Sequence, residues 1–260
     1  MMSSQKIIIL TTVGKSLLVN FSRQLEKPEV DVLKASHEEL VNLIAEMGYD
    51  RASAETNSIV KILDLIKKER KVEDDQFVLY FLHSETKEGS FCSSILEEYF
   101  KSKGYLVVDR EIKGLKYDSK EFESIGLKSL IEEVIGIIRV SKRDGDDVVI
   151  NATAGFKVES AYLTLIGTLF QCEIFYIHEL FRELIRIPKL PITLNKEFFE
   201  KNKAILSDLK LGIDRMELNK KYGELPQDLV LLTEVIEEDN REIVTLNVAG
   251  RLLALLSEEF

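Results

Sequence analysis

Basic residues are in deficit: 35 Lys and Arg stand against 45 Asp and Glu over 260 residues, a formal charge of -10. A surface with that balance repels the phosphate backbone, which argues against broad, sequence-independent adhesion to duplex nucleic acid and leaves room only for a local basic pocket. Cysteine is nearly absent. Cys92 and Cys172 lie far apart, without metal-ligand spacing, and support neither a disulfide framework nor a zinc site, which fits a reduced, cytoplasmic setting. The three histidines, His37, His83 and His178, have no partner at metal-ligand spacing. A His-Glu-x-x-His helix, a Gly-x-Ser-x-Gly elbow and a cluster of metal carboxylates are all missing, so no metal and no cofactor is implied. No apolar run approaches the roughly 20 residues that span a bilayer, and no membrane partner is expected. The Gly-x-Gly-x-x-Gly dinucleotide fingerprint is missing too. Gly14-Lys15-Ser16 looks like the tail of a P-loop, but Ile9 stands where that loop requires a glycine.

What is present is a regular alternation of short apolar runs and longer amphipathic ones. Lys6 to Thr12, Gln76 to His83, Tyr105 to Asp109, Asp147 to Asn151 and Glu173 to His178 read as strands, the first buried on both faces, with an extension at Leu184 to Ile187. Between them the spacing predicts helices: one after Gly14, then Ser36 to Met47 and Ser53 to Arg70, Ser90 to Lys103, Lys120 to Lys142 and Val158 to Phe170. Ser36 and Glu39 have capping-box spacing. Arg110 to Lys116 reads as an irregular, cation-bearing loop. Alternation of this kind predicts an α/β fold, a doubly wound, mainly parallel Rossmann-like sheet.

After Pro188 the chain changes character. Lys189 to Thr193 reads as an extended linker, because each proline disfavours helix at the residue before it. Helices are expected at Lys196 to Leu209, Asp214 to Lys221, Gln227 to Val235 and Val248 to Leu256, with a hairpin around Glu237 to Val244 tipped by Asp239-Asn240. The expected division is a ligand-binding domain over 1–193 and a small, mostly helical, winged-helix-like module over 194–260. Residues 191–260 hold 9 Lys and Arg against 14 Asp and Glu, which favours packing or dimer formation over DNA binding.

Two turns carry the chemistry. Each follows a buried strand and leads into a helix, and both belong on the same edge of a parallel sheet, where ligands of such folds sit. The first offers Gly14, Lys15 and Ser16; the second, Asn151-Ala152-Thr153-Ala154-Gly155-Phe156-Lys157, offers Thr153, Gly155 and Lys157. Free N–H groups at helix starts favour anions, and a lysine in a first helical turn is electrostatically misplaced unless an anion is present. The bland reading is an ordinary strand-to-helix turn beside a solvated lysine. Strand-end His83 and His178, and Glu179 after the latter, are equally consistent with a structural role.

Three segments together carry a resemblance: Thr12-Val13-Gly14-Lys15-Ser16-Leu17-Leu18, then Asn151 to Glu159, then Tyr176-Ile177-His178-Glu179 followed by Ile187-Pro188-Lys189-Leu190-Pro191. In order and spacing, over about residues 5–193, they resemble the CRISPR-associated Rossmann-fold (CARF) domains, the sensors of type III CRISPR immunity that bind cyclic oligoadenylates across a two-fold dimer interface. Many members carry Thr where this chain has Lys15, and a second glycine where it has Ala154. The resemblance implies a homodimer whose partner molecule is cyclic tetra-adenylate, with Thr12, Gly14, Lys15, Asn151, Thr153, Ala154, Gly155 and Phe156 binding the ligand. No histidine has the upstream arginine of a HEPN ribonuclease effector, and the tail lacks the pattern of a restriction-type nuclease. A CARF domain with only a small module looks like the ring nucleases, which cleave the messenger without metal. That likeness assigns Lys157 and Ser16 as the catalytic pair. The alternatives are a non-catalytic sensor and a ligand-controlled transcription regulator.

Overall fold

In the computed structural model, residues 5–116, 118–178, 182–192 and 194–257 are described. The first strand, β1 (Ile7–Val13), is buried along its whole length, because its side chains alternate between two apolar layers. Ile7, Ile9 and Val13 enter one core and Ile8 and Leu10 the other. Helices α1 (Ser16–Leu25), α2 (Glu29–Val32), α3 (His37–Met47), α4 (Tyr49–Ala52) and α5 (Ala54–Arg70) follow, then β2 (Phe77–Ser84), α6 (Lys87–Ser102) and β3 (Leu106–Ile112). Leu17, Leu18 and Phe21 of α1, Ile59, Ile62 and Ile66 of α5, and Ile95 and Leu96 of α6 all cover the first layer.

β3 runs on through Ile112, where an irregular segment was expected from Arg110; pairing of Arg110 to Ile112 with Leu82 to Ser84 of β2 extends it. The helix expected at Lys120 to Lys142 is also interrupted. It begins as α7 (Ser119–Glu121), widens into a π-turn at Phe122–Gly126 and continues as α8 (Leu127–Arg143). Gly126 permits this: a Cβ there would lie 2.6 Å from the Gly114 carbonyl oxygen. α8 lies on the face of the sheet opposite α5 and α6, and the chain continues with β4 (Asp147–Asn151), α9 (Lys157–Leu169) on that same face, β5 (Glu173–Ile177) and β6 (Leu184–Ile187).

The six-stranded sheet has the order β3-β2-β1-β4-β5-β6, parallel except for β6, which turns back antiparallel against β5. This is the doubly wound order, and its reversal of direction lies between β1 and β4. Thr11 pairs there with Asn151, so the two turns singled out in the sequence emerge side by side at the switch point.

The remaining elements are α10 (Lys196–Leu211), β7 (Ile213–Asp214), α11 (Arg215–Tyr222), α12 (Gln227–Val230), β8 (Thr233–Glu238), β9 (Arg241–Leu246) and α13 (Val248–Ser257). Helix, strand, two helices and a hairpin, with sheet order β7-β9-β8, give the winged-helix topology. The hairpin tip, Asp239-Asn240, takes φ of 48° and 61°, the handedness a two-residue turn needs to match strand twist. The helix expected over Gln227 to Val235 stops at Val230, because Thr233 to Glu238 pair with β9 instead. The helix left in the groove-reading position of such modules is thus a single turn carrying Asp228. α13 ties the module to the sheet: Val248, Leu252 and Leu256 pack into the core with α8, while Ala254 joins the module's own core. Arg251 pairs with Glu132 of α8 at 2.5 Å. Among the described residues no helix is long and apolar enough to cross a membrane.

Candidate functional site

The switch point is floored by buried polar side chains. Asn151 at the end of β4 is fully buried; its Nδ2 donates to Ser58 Oγ at 2.7 Å and to Thr11 Oγ1 at 3.3 Å, and its Oδ1 accepts the Thr153 N–H at 3.3 Å. Every polar atom of the amide is therefore used to hold β4, β1 and α5 together under the turn. Thr153 Oγ1 accepts the Ile177 N–H at 3.0 Å and ties the turn to the end of β5. Thr12 Oγ1 donates to the Ala154 carbonyl at 2.7 Å, which joins the two turns directly. Gly155 has φ of +83°, and a Cβ there would strike Thr12 Oγ1 and Glu159 Oε2. Only glycine satisfies both the handedness and the space. A Cβ on Gly14 would meet the Gly155 backbone at 3.6 Å, so the two turns lie in van der Waals contact.

Two carboxylates hold the turns. Glu55, 1% exposed on the first turn of α5, accepts the Gly14 N–H at 2.9 Å on Oε1 and the Ser16 hydroxyl at 2.7 Å on Oε2. Ser16 Oγ in turn accepts the Ala54 N–H at 3.2 Å. Glu159, 2% exposed on the first turn of α9, accepts the Phe156 N–H at 2.9 Å. Burial pushes its carboxyl up to about 7, against the opposing pull of the Phe156 N–H. The sequence pattern placed Glu159 in the turn without a role, although its position three residues after the helix cap was a usable signal. Glu55 carried no such signal.

Among the helices of eight or more residues the starts at this edge differ from the rest; the four-residue helices α2, α4 and α12 also lack a side-chain cap. α3, α5, α6, α10 and α11 are capped by the side chains of Ser36, Ser53, Thr86, Asn195 and Asp214, and Asn247 accepts the Gly250 N–H at the head of α13. α8 continues from the π-turn. α1 and α9 begin at Lys15 and Phe156 with no side-chain cap, so the N–H groups of their first turns stay open at the switch point. Lys15 and Lys157 are exposed beside them, and among the described residues neither has a hydrogen-bond or ion-pair partner. Phe156 stands out from the turn at 39% exposure and meets Phe122 of the π-turn edge-on, with ring centroids 5.5 Å apart.

All ten residues singled out in the sequence, Thr12, Gly14, Lys15, Ser16, Asn151, Thr153, Ala154, Gly155, Phe156 and Lys157, thus come from two turns at one place. They divide into two kinds. Thr12, Asn151, Thr153 and Ala154 face inward and fix the backbone; Lys15, Gly155, Phe156 and Lys157 face outward; Gly14 and Ser16 lie between, bound to Glu55. His83, the register partner of Val13 in the neighbouring strand, is buried on Asp109 and the Ser84 carbonyl. His178 is half-buried with its ring edge-on to Tyr176, and Glu179 lies outside the described residues. Burial pushes the Cys92 and Cys172 thiols up to about 12 and about 11, which removes both as nucleophiles near neutrality. Among the described residues no three His, Cys, Asp or Glu side chains gather closely enough to hold a metal ion.

In the solved structure of Can2 from Sulfobacillus thermosulfidooxidans in complex with cyclic tetra-adenylate, the similar chain is 10% identical, with a TM-score of 0.35, and the match covers 96% of this chain and 63% of that one. A family model described as CRISPR-associated protein (Cas_APE2256) matches residues 50–190, just over half of the 260 residues, from α4 through the second turn to the end of the sheet. With the doubly wound order and the two motif turns meeting at its switch point, the chain belongs to this CRISPR-associated family and carries the CRISPR-associated Rossmann fold.

Proposed function

We propose that this protein binds cyclic tetra-adenylate across the two-fold axis of a homodimer and cleaves it without metal to linear di-adenylate ending in a 2′,3′-cyclic phosphate, so switching off type III CRISPR signalling in the cytoplasm. Residues 1–193 form the ligand-binding domain and 194–260 the appended module in this reading. The observation that carries it is the pair of uncapped helix starts at the switch point, each beside an exposed, unpartnered lysine. Open N–H groups at two helix N-termini make a place for phosphate, and α3, α5, α6, α10 and α11 are capped by side chains instead. Two copies bring together Lys15 and Lys157 twice, one cation for each of the four phosphates of the ring. Phe156 offers an aromatic face at the rim for a base to stack on.

A second copy also suits the surface beside the site. Val158, Ala161 and Leu165 form an exposed stripe on α9, opposite the face on which Leu163 and Ile166 enter the core. Because the stripe starts one residue past Lys157, a partner seated on it closes over both turns. Cleavage of RNA without metal needs a 2′-hydroxyl aligned with its own phosphate and donors that stabilise the charge building on that phosphate. Lys157 and the open N–H groups of α9 supply the second requirement.

The test is incubation of the pure protein with excess cyclic tetra-adenylate in EDTA, followed by chromatography and mass measurement over several hours. The expected product is di-adenylate with a cyclic phosphate over many turnovers, and Lys157→Ala is expected to abolish it. Intact ligand that co-elutes with the protein would leave a sensor without cleavage, and an absence of binding would sink the reading.

A further inference from the structure

The hydrogen bonds around Ser16 run in one direction. A hydroxyl has one proton and two lone pairs; Ser16 gives its proton to Glu55 Oε2 at 2.7 Å and one lone pair to the Ala54 N–H at 3.2 Å. One lone pair is left on a half-buried oxygen at the edge of the site. The Ser16 hydroxyl, so held, accepts a proton from a ligand; to donate one it must first break with the carboxylate. Glu55 is itself buried, clamped through Oε1 by the Gly14 N–H at 2.9 Å and seated on the first turn of α5, where the helix dipole favours negative charge.

The geometry points to Glu55 as the terminal proton acceptor of the cleavage reaction, acting through Ser16. This rests on the proposed ring cleavage and supplies the base that reading lacks. As the ligand's 2′-oxygen forms its bond to the adjacent phosphorus, its proton passes to Ser16 Oγ while the Ser16 proton passes to Glu55 Oε2. The bond from phosphorus to the 5′-oxygen breaks, and that oxygen keeps the electron pair and takes a proton from the Lys157 ammonium. The products are a 2′,3′-cyclic phosphate and a 5′-hydroxyl, with no net change in protons once Glu55 and Lys157 re-equilibrate with water. Glu55 does not touch the ligand; it is a positioning residue for Ser16 that also receives the proton at one remove.

The test compares wild type with Glu55→Gln under single-turnover conditions, with ligand affinity measured separately. Glutamine keeps the shape and can still accept the Gly14 N–H, but it cannot take a proton. The expected result is a cleavage rate lower by about 100-fold, the low end for loss of a general base, with affinity changed by less than about threefold. Cleavage by Glu55→Gln at the wild-type rate overturns the relay and leaves ring cleavage standing. A wild type that binds but does not cleave removes the reading underneath, and the relay with it. If Glu55→Gln loses binding as well as rate, Ser16→Ala decides: a relay requires Ser16→Ala and the double variant to cleave equally slowly, and a double variant slower by the full Glu55→Gln factor overturns it.

Discussion

Glu159 shows at the scale of one residue how burial and chemistry are coupled at the second turn. Its carboxyl titrates near 7 in the folded protein and near the ordinary 4.5 in the unfolded chain. Between those values the folded protein holds a proton that the unfolded chain has released, so this group makes stability fall as pH rises through the window, by about 3 kcal/mol in all. Glu159→Gln keeps an oxygen for the Phe156 N–H and cannot ionise. Urea denaturation at pH 5 and pH 8 should find the variant overtaking the wild type at the higher pH; a wild type that gains stability relative to the variant as pH rises would mean Glu159 is held ionised. An anion docked at the Gly155 turn favours the same protonated form. The residues of the two turns were legible in the sequence because turn chemistry is local: Gly155 answers to its own φ, and Asn151 to a strand end two residues before the Thr153 N–H it accepts. Glu55 was not legible, since Gly14 and Ser16 lie 41 and 39 residues away and only the packing of α5 against α1 brings them together.

At the scale of elements, the β3 edge of the sheet is pinned by a buried histidine in the strand next to β1. His83 of β2 meets Asp109 of β3 at 3.2 Å, and Ser93 of α6 donates to the other carboxylate oxygen. Burial alone would lower the His83 value, but hydrogen bonds with Asp109 and the Ser84 carbonyl and the charges of Asp109 and Glu111 outweigh it and raise it. Burial would raise Asp109, and the hydrogen bonds from His83 and Ser93 with the charges of His83 and Arg110 lower it. The pair's stabilisation is complete below the unfolded histidine value of about 6.5, is lost as pH rises through the higher folded value, and is lost again in acid as Asp109 protonates. Asp109→Asn should be less stable than wild type by about 1–2 kcal/mol at pH 6, and the gap should narrow at pH 9, as read by urea denaturation at both. A gap that is equal at both pH values would show that the ion pair contributes nothing. The strands of this sheet were legible from their apolar runs, which no other element can bury so completely. The π-turn and the early stop of the Gln227 helix were not, because the first depends on contact between Gly126 and Gly114 and the second on pairing with β9.

For the whole molecule the question is what would hold two copies together in the proposed dimer. Each carries a formal charge of -10, so two copies repel, and the ring they are proposed to share is itself an anion. Attraction must come from apolar surface and from the lysines at the site. The α9 stripe supplies the first: Val158 is 36% and Leu165 45% exposed, on a helix otherwise packed into the core. Screening by salt should strengthen association in the free protein, since it weakens the repulsion between the copies and leaves apolar burial intact. Leu165→Glu puts a new charge at the end of the stripe farthest along α9 from Lys157. Being a surface change in the single chain, it should alter folding stability by no more than about 0.5 kcal/mol. Sedimentation should therefore find wild type as a dimer and Leu165→Glu as a folded monomer, with affinity for cyclic tetra-adenylate down by at least about tenfold, because half a site offers two of the four lysines. A variant that still sediments as a dimer would move the interface off α9. A wild-type monomer that binds the ring tightly would mean one copy of the two turns is the whole site.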